Sequence, residues 1–160
     1  MHVDVFTQGK TKDKNEDFFG YDDTTFVVAD GATDKSGKIY DGKTGGEIVS
    51  DMIVKTCLSS KLNGTELVDQ INTQIAEIYK TLEITKDTTL NAKYRFSGTF
   101  VCLRRVGTEI IITALGDVGY RLNGVEAFTE QKQIDTDNAK IRATYIKNTG
   151  DVTGSRRLLY

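Results

Sequence analysis

The hydrophobic positions of the chain follow two different periods, one typical of strands and one typical of helices. Thr25 to Ala29 is a continuous apolar run that stops at Asp30, which is typical of a buried strand. Other short apolar runs are bounded by glycine, asparagine or aspartate. Together these runs predict strands at residues 3–8, 18–22, 25–29, 96–104, 108–115, 118–122 and 125–129.

Between the early and the late strands, apolar residues recur at the three- and four-residue spacing of a helix. The first such stripe, within residues 47–55, consists of Ile48, Val49, Met52 and Ile53. The second consists of Leu67, Val68, Ile71, Ile75, Ile78, Tyr79 and Leu82, with Asn63 or Thr65 available as the N-cap. A short helix is also predicted near residues 137–146.

The order of these elements predicts the fold class. Strands, two helices and further strands, without strand–helix alternation, indicate an antiparallel α+β layered domain and argue against a doubly wound sheet. The late strands are predicted to form an antiparallel meander. Asn123 and Gly124 predict a type I′ hairpin turn, because both residues accept a positive φ. A length of 160 residues fits one domain, so residues 1–160 are predicted to form a single unit.

Composition narrows the possible partners. A formal net charge of −2 lacks the basic excess of a nucleic-acid-binding protein. The sequence has no signal-like start and no apolar run long enough to span a bilayer, which predicts a cytoplasmic protein without a membrane partner. Cys57 and Cys102 lie among apolar neighbours and are predicted to be reduced core residues. Neither precedes an arginine at the spacing that a cysteine phosphatase needs.

Carboxylates at the predicted strand ends are the sharpest chemical feature. Asn15, Glu16 and Asp17 precede one strand, and Asp30 with Gly31 follows the next. If these strands pair, their carboxylates meet, and adjacent carboxylates ionise together only with a compensating cation. Magnesium and manganese prefer oxygen ligands, and Gly31 leaves room for its own carbonyl to reach an ion. The alternative interpretation is a strand-ending turn beside a solvated loop.

Five segments extend this pattern along the chain. The first three are Lys12-x-x-Asn15-Glu16-Asp17, Phe26-Val27-Val28-Ala29-Asp30-Gly31 and Gly45-Gly46-Glu47-x-x-Ser50. The others are Phe96-Ser97-Gly98-Thr99-Phe100-Val101 and Ala114-Leu115-Gly116-Asp117-x-x-Tyr120-Arg121. In this order and spacing, the segments resemble the protein phosphatase 2C family over roughly residues 5–128.

The resemblance implies a layered antiparallel β-sandwich flanked by helices, with the activity of a metal-dependent serine/threonine phosphoprotein phosphatase. It implies two Mn or Mg ions bridged by Asp30, with the Gly31 carbonyl on one of them and Glu16 and Asp17 ligating directly or through water. Asp117 matches an acid that can face a third, weaker metal, and it fits equally well a role in ordering the turn before it. A metal-bound hydroxide would attack the phosphorus of a phosphorylated protein in line.

Lys12 departs from the family, which usually has an arginine at this position. The resemblance makes Lys12 the predicted catalytic and phosphate-binding cation. A lysine offers a point charge instead of the planar fork that binds phosphate oxygens in pairs. Phosphate binding is therefore predicted to be weaker or differently placed.

The later acidic motifs of the family are a second departure. Its Asp-Gly at the end of another apolar strand and its final Asp-Asn, which supply the remaining metal ligands, are not found before Tyr160. The closing strands of the sandwich are missing with them. The sequence therefore predicts an incomplete catalytic domain, either a fragment of a longer enzyme or a truncated relative. The alternative is an inactive phosphatase-like domain that binds a phosphoprotein or another partner without turnover.

A more remote alternative is a nucleotide hydrolase. Gly37-x-x-x-x-Gly42-Lys43-Thr44 satisfies the phosphate-loop pattern. A phosphate loop, however, needs a strand that runs straight into its first glycine, and residues 30–36 are predicted to be a polar loop. The predicted strand order also lacks parallel alternation.

Overall fold

The computed structural model describes residues 3–9, 15–32, 36–128 and 133–155. The chain divides into two compact units, Met1–Val118 and Gly119–Tyr160. The first unit contains β1 (Asp17–Tyr21), β2 (Thr25–Ala32), α1 (Gly45–Ser59), α2 (Gly64–Thr81), α3 (Thr85–Leu90), a 3₁₀ helix (Ala92–Tyr94), β3 (Ser97–Val106) and β4 (Glu109–Leu115). The second contains β5 (Tyr120–Leu122), β6 (Val125–Phe128), α4 (Gln133–Thr149) and α5 (Val152–Ser155).

The first unit is built on a four-stranded antiparallel sheet in the order β1-β2-β3-β4. Alternate residues of β2 are buried, and these residues share one face of the sheet. Helix α1 packs against that face, and α2 packs beside α1. The predicted α+β class with antiparallel strands is confirmed.

The core lies between the sheet and the two long helices. The sheet contributes Val27, Ala29, Phe100 and Cys102. The helices contribute Val49, Ile53, Val54, Cys57, Leu67 and Ile71. Burying an aliphatic or aromatic side chain of this size contributes about 1.5–3 kcal/mol relative to leaving it exposed, so this layer holds the unit together. Cys57 and Cys102 are free and buried in it, as predicted.

Helix α1 starts at a complete capping box. The Thr44 hydroxyl accepts a hydrogen bond from the Glu47 backbone N–H at 3.1 Å, and the Glu47 carboxylate accepts one from the Thr44 backbone N–H at 2.6 Å. This arrangement satisfies two of the N–H groups that a helix start leaves without partners. In α2 the predicted N-cap position is Asn63, but its side chain makes no capping hydrogen bond.

Several predicted boundaries are corrected. Strand β2 continues past Asp30 to Ala32, because β3 pairs with it as far as Ser97. The strand predicted at residues 3–8 is not formed, and residues 3–9 have no regular secondary structure. The meander prediction was wrong beyond β4, since β5 pairs with β6 and not with β4. Helix α3 and the 3₁₀ helix were not predicted.

The second unit consists of a β-hairpin followed by helices. Strands β5 and β6 are antiparallel, with a register shift between Tyr120 and Arg121. Asn123 and Gly124 have φ values of 52° and 76°, so the predicted hairpin turn with two positive φ angles is confirmed. The helix predicted at residues 137–146 is longer than expected and is α4. In the described part of the chain, none of the helices combines the length and apolar character needed to cross a bilayer.

Candidate metal centre

Asp17 and Asp30 lie directly opposite each other on β1 and β2. Their neighbours Phe18 and Ala29 pack into the core, so both carboxylates belong to the face of the sheet that α1 does not cover. Residues in such a pair have Cβ atoms about 4.5–5.5 Å apart, and like charges at this position destabilise a sheet. The expectation that paired strands bring the acids together is confirmed for Asp17 and Asp30, but not for the carboxylate of Glu16. A cation between the two aspartates would remove the repulsion.

A cavity of about 300 Å³ lies beside the acidic pair. It is lined by the acidic pair, by apolar groups of β1 and β2 and by residues 5–8 of the N-terminal segment. The Thr7 hydroxyl donates to Asp17 Oδ2 at 3.5 Å and accepts a hydrogen bond from Asn15 Nδ2 at 2.8 Å. Asn15 Oδ1 in turn accepts from the Asp17 backbone N–H at 3.0 Å. Asn15 therefore orders the turn that leads into β1.

The side chain of Glu16 points to a different place from that of Asp17. Glu16 Oε1 accepts a hydrogen bond from the Thr44 hydroxyl at 2.5 Å, at the start of α1. A β-carbon at Gly46 would lie 2.7 Å from the same oxygen, so the carboxylate sits against the first turn of the helix. The positive end of the helix dipole favours an anion there. The structure thus groups Asp17 with Asp30 and places the Glu16 carboxylate at the α1 N-terminus.

The backbone of Gly31 is fixed by contacts with two neighbouring segments. Its N–H donates to the Glu16 carbonyl at 3.1 Å. A β-carbon at Gly31 would overlap the Gly46 carbonyl oxygen, so only glycine permits the start of α1 to approach β2 this closely. This contact gives Gly31 a packing function. Its predicted function as a carbonyl ligand stays a prediction.

Asp117 follows the turn after β4. Gly116, immediately before it, has a φ of 88°, and a β-carbon there would overlap the Thr99 side chain. Thr99 is the β3 partner of Asp30. The turn therefore lies on the far side of Thr99 from Asp30, at the same end of the sheet as the acidic pair. Gly116 makes this turn possible, while both roles predicted for Asp117, turn ordering and metal binding, stay predictions.

Lys12, the predicted catalytic and phosphate-binding cation, lies outside the described residues. Its position relative to Asp30 is therefore a prediction from the resemblance alone.

The structure is similar to solved structures of serine/threonine phosphatases. The serine/threonine phosphatase PstP/Ppp of Mycobacterium tuberculosis superposes with a TM-score of 0.55 at 15% identity, covering 84% of this chain and 56% of its own. The phosphatase 2C-like fold is confirmed. The catalytic domain of PstP in complex with two manganese ions gives a TM-score of 0.54 at 14% identity, covering 94% of this chain. No family model and no curated protein matches the sequence.

The length of the chain limits what this phosphatase-like fold contains. The chain spans 56% and 60% of the two solved phosphatase chains. Asp17 and Asp30 supply the hard oxygen donors that Mn²⁺ and Mg²⁺ prefer, and their mutual repulsion fits a bound cation. Among residues 3–9, 15–32, 36–128 and 133–155, however, no group of three or more acidic, histidine or cysteine side chains is arranged to hold a metal ion. The described residues therefore supply two neighbouring carboxylates and no complete metal site.

Two residues that contact the site were not assigned a function from the sequence. Thr44 was considered as the last residue of a phosphate-loop pattern, and Ser50 as part of a resembling segment. In the fold, Thr44 donates to the Glu16 carboxylate, and the Ser50 hydroxyl donates to the Glu16 carbonyl at 2.5 Å. The sequence feature that could have indicated Ser50 is the spacing of the Gly-Gly-Glu-x-x-Ser segment, which places Ser50 one helical turn after Gly46.

The geometry argues against the phosphate-loop alternative. The backbone N–H groups of Tyr40 and Lys43 donate to each other's carbonyl oxygens at 2.8 and 3.0 Å. Asp41 and Gly42, between them, have φ values of 48° and 79°, so the segment is a tight turn. The Thr44 backbone N–H donates a hydrogen bond to the Glu47 carboxylate. These N–H groups are therefore engaged within the protein, whereas a phosphate loop directs them at its ligand.

Cysteine nucleophiles are not available at this site. Cys57 and Cys102 are both buried in the core, on the opposite side of the sheet from the acidic pair. Their mutual hydrogen bond raises the pKa of the Cys57 thiol, together with burial, and lowers that of Cys102. A buried, protonated thiol is a poor nucleophile.

Proposed function

We propose that this chain carries part of a metal-dependent serine/threonine phosphoprotein phosphatase that hydrolyses phosphomonoesters. The observation that supports the proposal most directly is the cross-strand pair of Asp17 and Asp30 on a phosphatase-like fold. A solved neighbour with this fold is described as a complex with two manganese ions. The substrates in this proposal are phosphorylated proteins in the cytoplasm.

Each site residue has a definite task in the proposed reaction. Asp30 and Asp17 would hold Mn²⁺ or Mg²⁺, assisted by the Gly31 carbonyl, while the Glu16 carboxylate stays at the start of α1. Lys12 offers its ammonium group to the phosphate oxygens. The two ions, when bound, activate water and neutralise charge on the phosphoryl group. Asp117 is proposed to face a further, weaker ion.

A second candidate function is phosphoprotein binding without turnover. It is favoured by the incomplete donor set among the described residues and by a length of 56–60% of the solved phosphatase chains. In that case the acidic pair would bind a cation weakly, and hydrolysis would stay absent even at high manganese concentration.

The test is phosphatase activity on p-nitrophenyl phosphate and on a phosphothreonine peptide, with and without millimolar manganese. The wild-type chain is compared with Asp30→Asn, and the matched control is Asp23→Asn, which alters an exposed aspartate outside the site. The proposal expects manganese-dependent turnover that only Asp30→Asn abolishes.

The binding of Mn²⁺ is followed in parallel by the electron paramagnetic resonance signal of the free ion. Metal binding and peptide binding without turnover would favour the second candidate. Turnover that is equal in wild type and Asp30→Asn would refute the proposed site.

A further inference from the structure

The residue that precedes Asp17 is held by helix α1 at two points. The Glu16 carbonyl oxygen accepts hydrogen bonds from the Gly31 N–H at 3.1 Å and from the Ser50 hydroxyl at 2.5 Å. The Glu16 carboxylate accepts a hydrogen bond from the Thr44 hydroxyl at 2.5 Å. These contacts fix the peptide plane that joins Glu16 to Asp17.

From these contacts we propose that Ser50 and Thr44 are positioning residues, which set the geometry of the Asp17 and Asp30 carboxylates and thereby the affinity for a divalent cation. The inference rests on the proposed function, since it concerns the same acidic pair. It adds two residues that lie on α1, on the opposite side of the sheet from that pair.

Ser50 acts on the acidic pair only through the backbone. Its side chain is fully buried, with 0% exposure, so it touches neither solvent nor an ion on the other face. Its hydroxyl proton is shared between the Glu16 carbonyl at 2.5 Å and the Gly46 carbonyl at 2.8 Å. Without this donor the Glu16 carbonyl loses its hydrogen bond from α1, and the Glu16–Asp17 peptide is held less firmly. The Asp17 carboxylate would then be held less precisely opposite Asp30, although the β1–β2 register itself is kept by the rest of the ladder.

Thr44 uses its hydroxyl for two purposes at once. The oxygen accepts the Glu47 N–H as the N-cap of α1, and the proton goes to Glu16 Oε1. The Glu16 carboxylate is thereby kept at the α1 N-terminus, away from the two aspartates. A third carboxylate swinging towards that pair would alter both its charge and its geometry.

The measurement is the Mn²⁺ affinity of the 160-residue chain, taken from the free-ion signal in electron paramagnetic resonance titrations. We expect Ser50→Ala and Thr44→Val to weaken Mn²⁺ binding about tenfold or more, the usual range for residues that orient metal ligands. Thr44→Ser keeps the hydroxyl and should restore wild-type affinity. Thr56→Val is the matched control, because Thr56 is also buried on α1 but contacts Met52.

A double-mutant cycle separates positioning from general loss of stability. Ser50→Ala should cause no further loss of affinity in an Asp17→Asn background, because the carboxylate that it positions is gone. Unchanged affinity in both Ser50→Ala and Thr44→Val, or an equal loss in Thr56→Val, would overturn the inference. If Ser50→Ala shows no thermal unfolding transition in EDTA, the variant is not folded. The Mn²⁺ affinities of Thr44→Val and Thr44→Ser then test the inference, and equal affinities would overturn it.

The outcomes also separate this inference from the proposed function. Binding of Mn²⁺ that Asp17→Asn weakens and Ser50→Ala leaves unchanged overturns the positioning residues and supports the acidic site. A wild-type chain that binds no Mn²⁺ overturns both.

Discussion

Two charged residues lie near opposite ends of the paired strands β2 and β3. Arg104 is the partner of Thr25 at the start of β2, and it is only 4% exposed. Asp30 is the partner of Thr99 near the other end, and it is exposed. The two charges occupy opposite faces of the same pair of strands, because Arg104 shares the α1 face with the core residue Cys102.

The surroundings of these two charges differ in kind. Arg104 donates to the Cys57 carbonyl at 2.6 Å, to the Leu62 carbonyl and to Asn63 Oδ1 at 3.1 Å. These acceptors lie at the end of α1 and in the loop to α2, where free carbonyl oxygens need donors. Asp30 faces Asp17, a residue of the same charge. A buried charge surrounded by complementary groups stabilises the fold, whereas two like charges on opposing strand positions destabilise it by themselves. Under the proposed function, a bound cation offsets that repulsion.

The largest effect is expected from Arg104→Ala. The substitution leaves buried carbonyl groups without donors, and each such group costs about 1–3 kcal/mol, so the free energy of unfolding should fall by about 3 kcal/mol or more. Urea unfolding monitored by circular dichroism measures this loss. Arg105→Ala, at the exposed next position, should change the free energy by less than about 0.5 kcal/mol. Equal losses of unfolding free energy for Arg104→Ala and Arg105→Ala would show that the buried hydrogen bonds of Arg104 do not stabilise the fold.

Gly31→Ala should have the second largest effect. The new methyl group would overlap the Gly46 carbonyl, so the backbone of α1 must move, at a cost of about 1–3 kcal/mol. Gly20→Ala is the matched control on β1, since its methyl group would meet side-chain carbons of Val54 and Leu58 and no backbone atom. Thermal unfolding of both variants measures the difference. A smaller loss for Gly31→Ala than for Gly20→Ala would contradict the tight contact between α1 and β2.

A smaller effect of opposite sign is expected from Asp17→Asn in the absence of metal. Removing one of two like charges in a cross-strand pair should raise the free energy of unfolding by about 0.5 kcal/mol in EDTA. With manganese present the sign should reverse, because the variant loses the stabilisation that bound ligand gives to the folded state. Denaturant titrations with EDTA and with manganese measure both values. Destabilisation in EDTA would show that Asp17 is a structural charge like Arg104.

The smallest effect is expected where opposite charges meet in solvent. Glu77 Oε1 and Lys80 Nζ are 2.6 Å apart on α2, with side chains 57% and 63% exposed. Exposed pairs contribute little, so Glu77→Gln should lower the free energy of unfolding by less than about 0.5 kcal/mol. Urea unfolding monitored by circular dichroism measures this change as well. If Glu77→Gln lowered the free energy of unfolding as much as Arg104→Ala, complementary charges would stabilise this fold even when they are exposed.

Much of the secondary structure was predictable because these elements depend on local patterns. The apolar run of β2, the stripes of α1 and α2 and the Asn123-Gly124 turn each carry their signal within a few residues. The pairing of β1 with β2 follows from their short connection, and it brings Asp17 to Asp30. Helix α3 escaped prediction because it is short and polar, and a single turn of helix has little periodic signal.

The sequence by itself determined the residue types at the candidate site, the strands that carry them and the resemblance to phosphatases. Only the tertiary structure decided that Glu16 turns to Thr44 while Asp17 turns to Asp30, and that Arg104 is a buried charge. Adjacent residues of a strand project to opposite faces, so their functions depend on what packs against each face. For this chain, the packed element is the start of α1, where the hydroxyl groups that contact Glu16 belong to Thr44 and Ser50, 28 and 34 positions further along the chain.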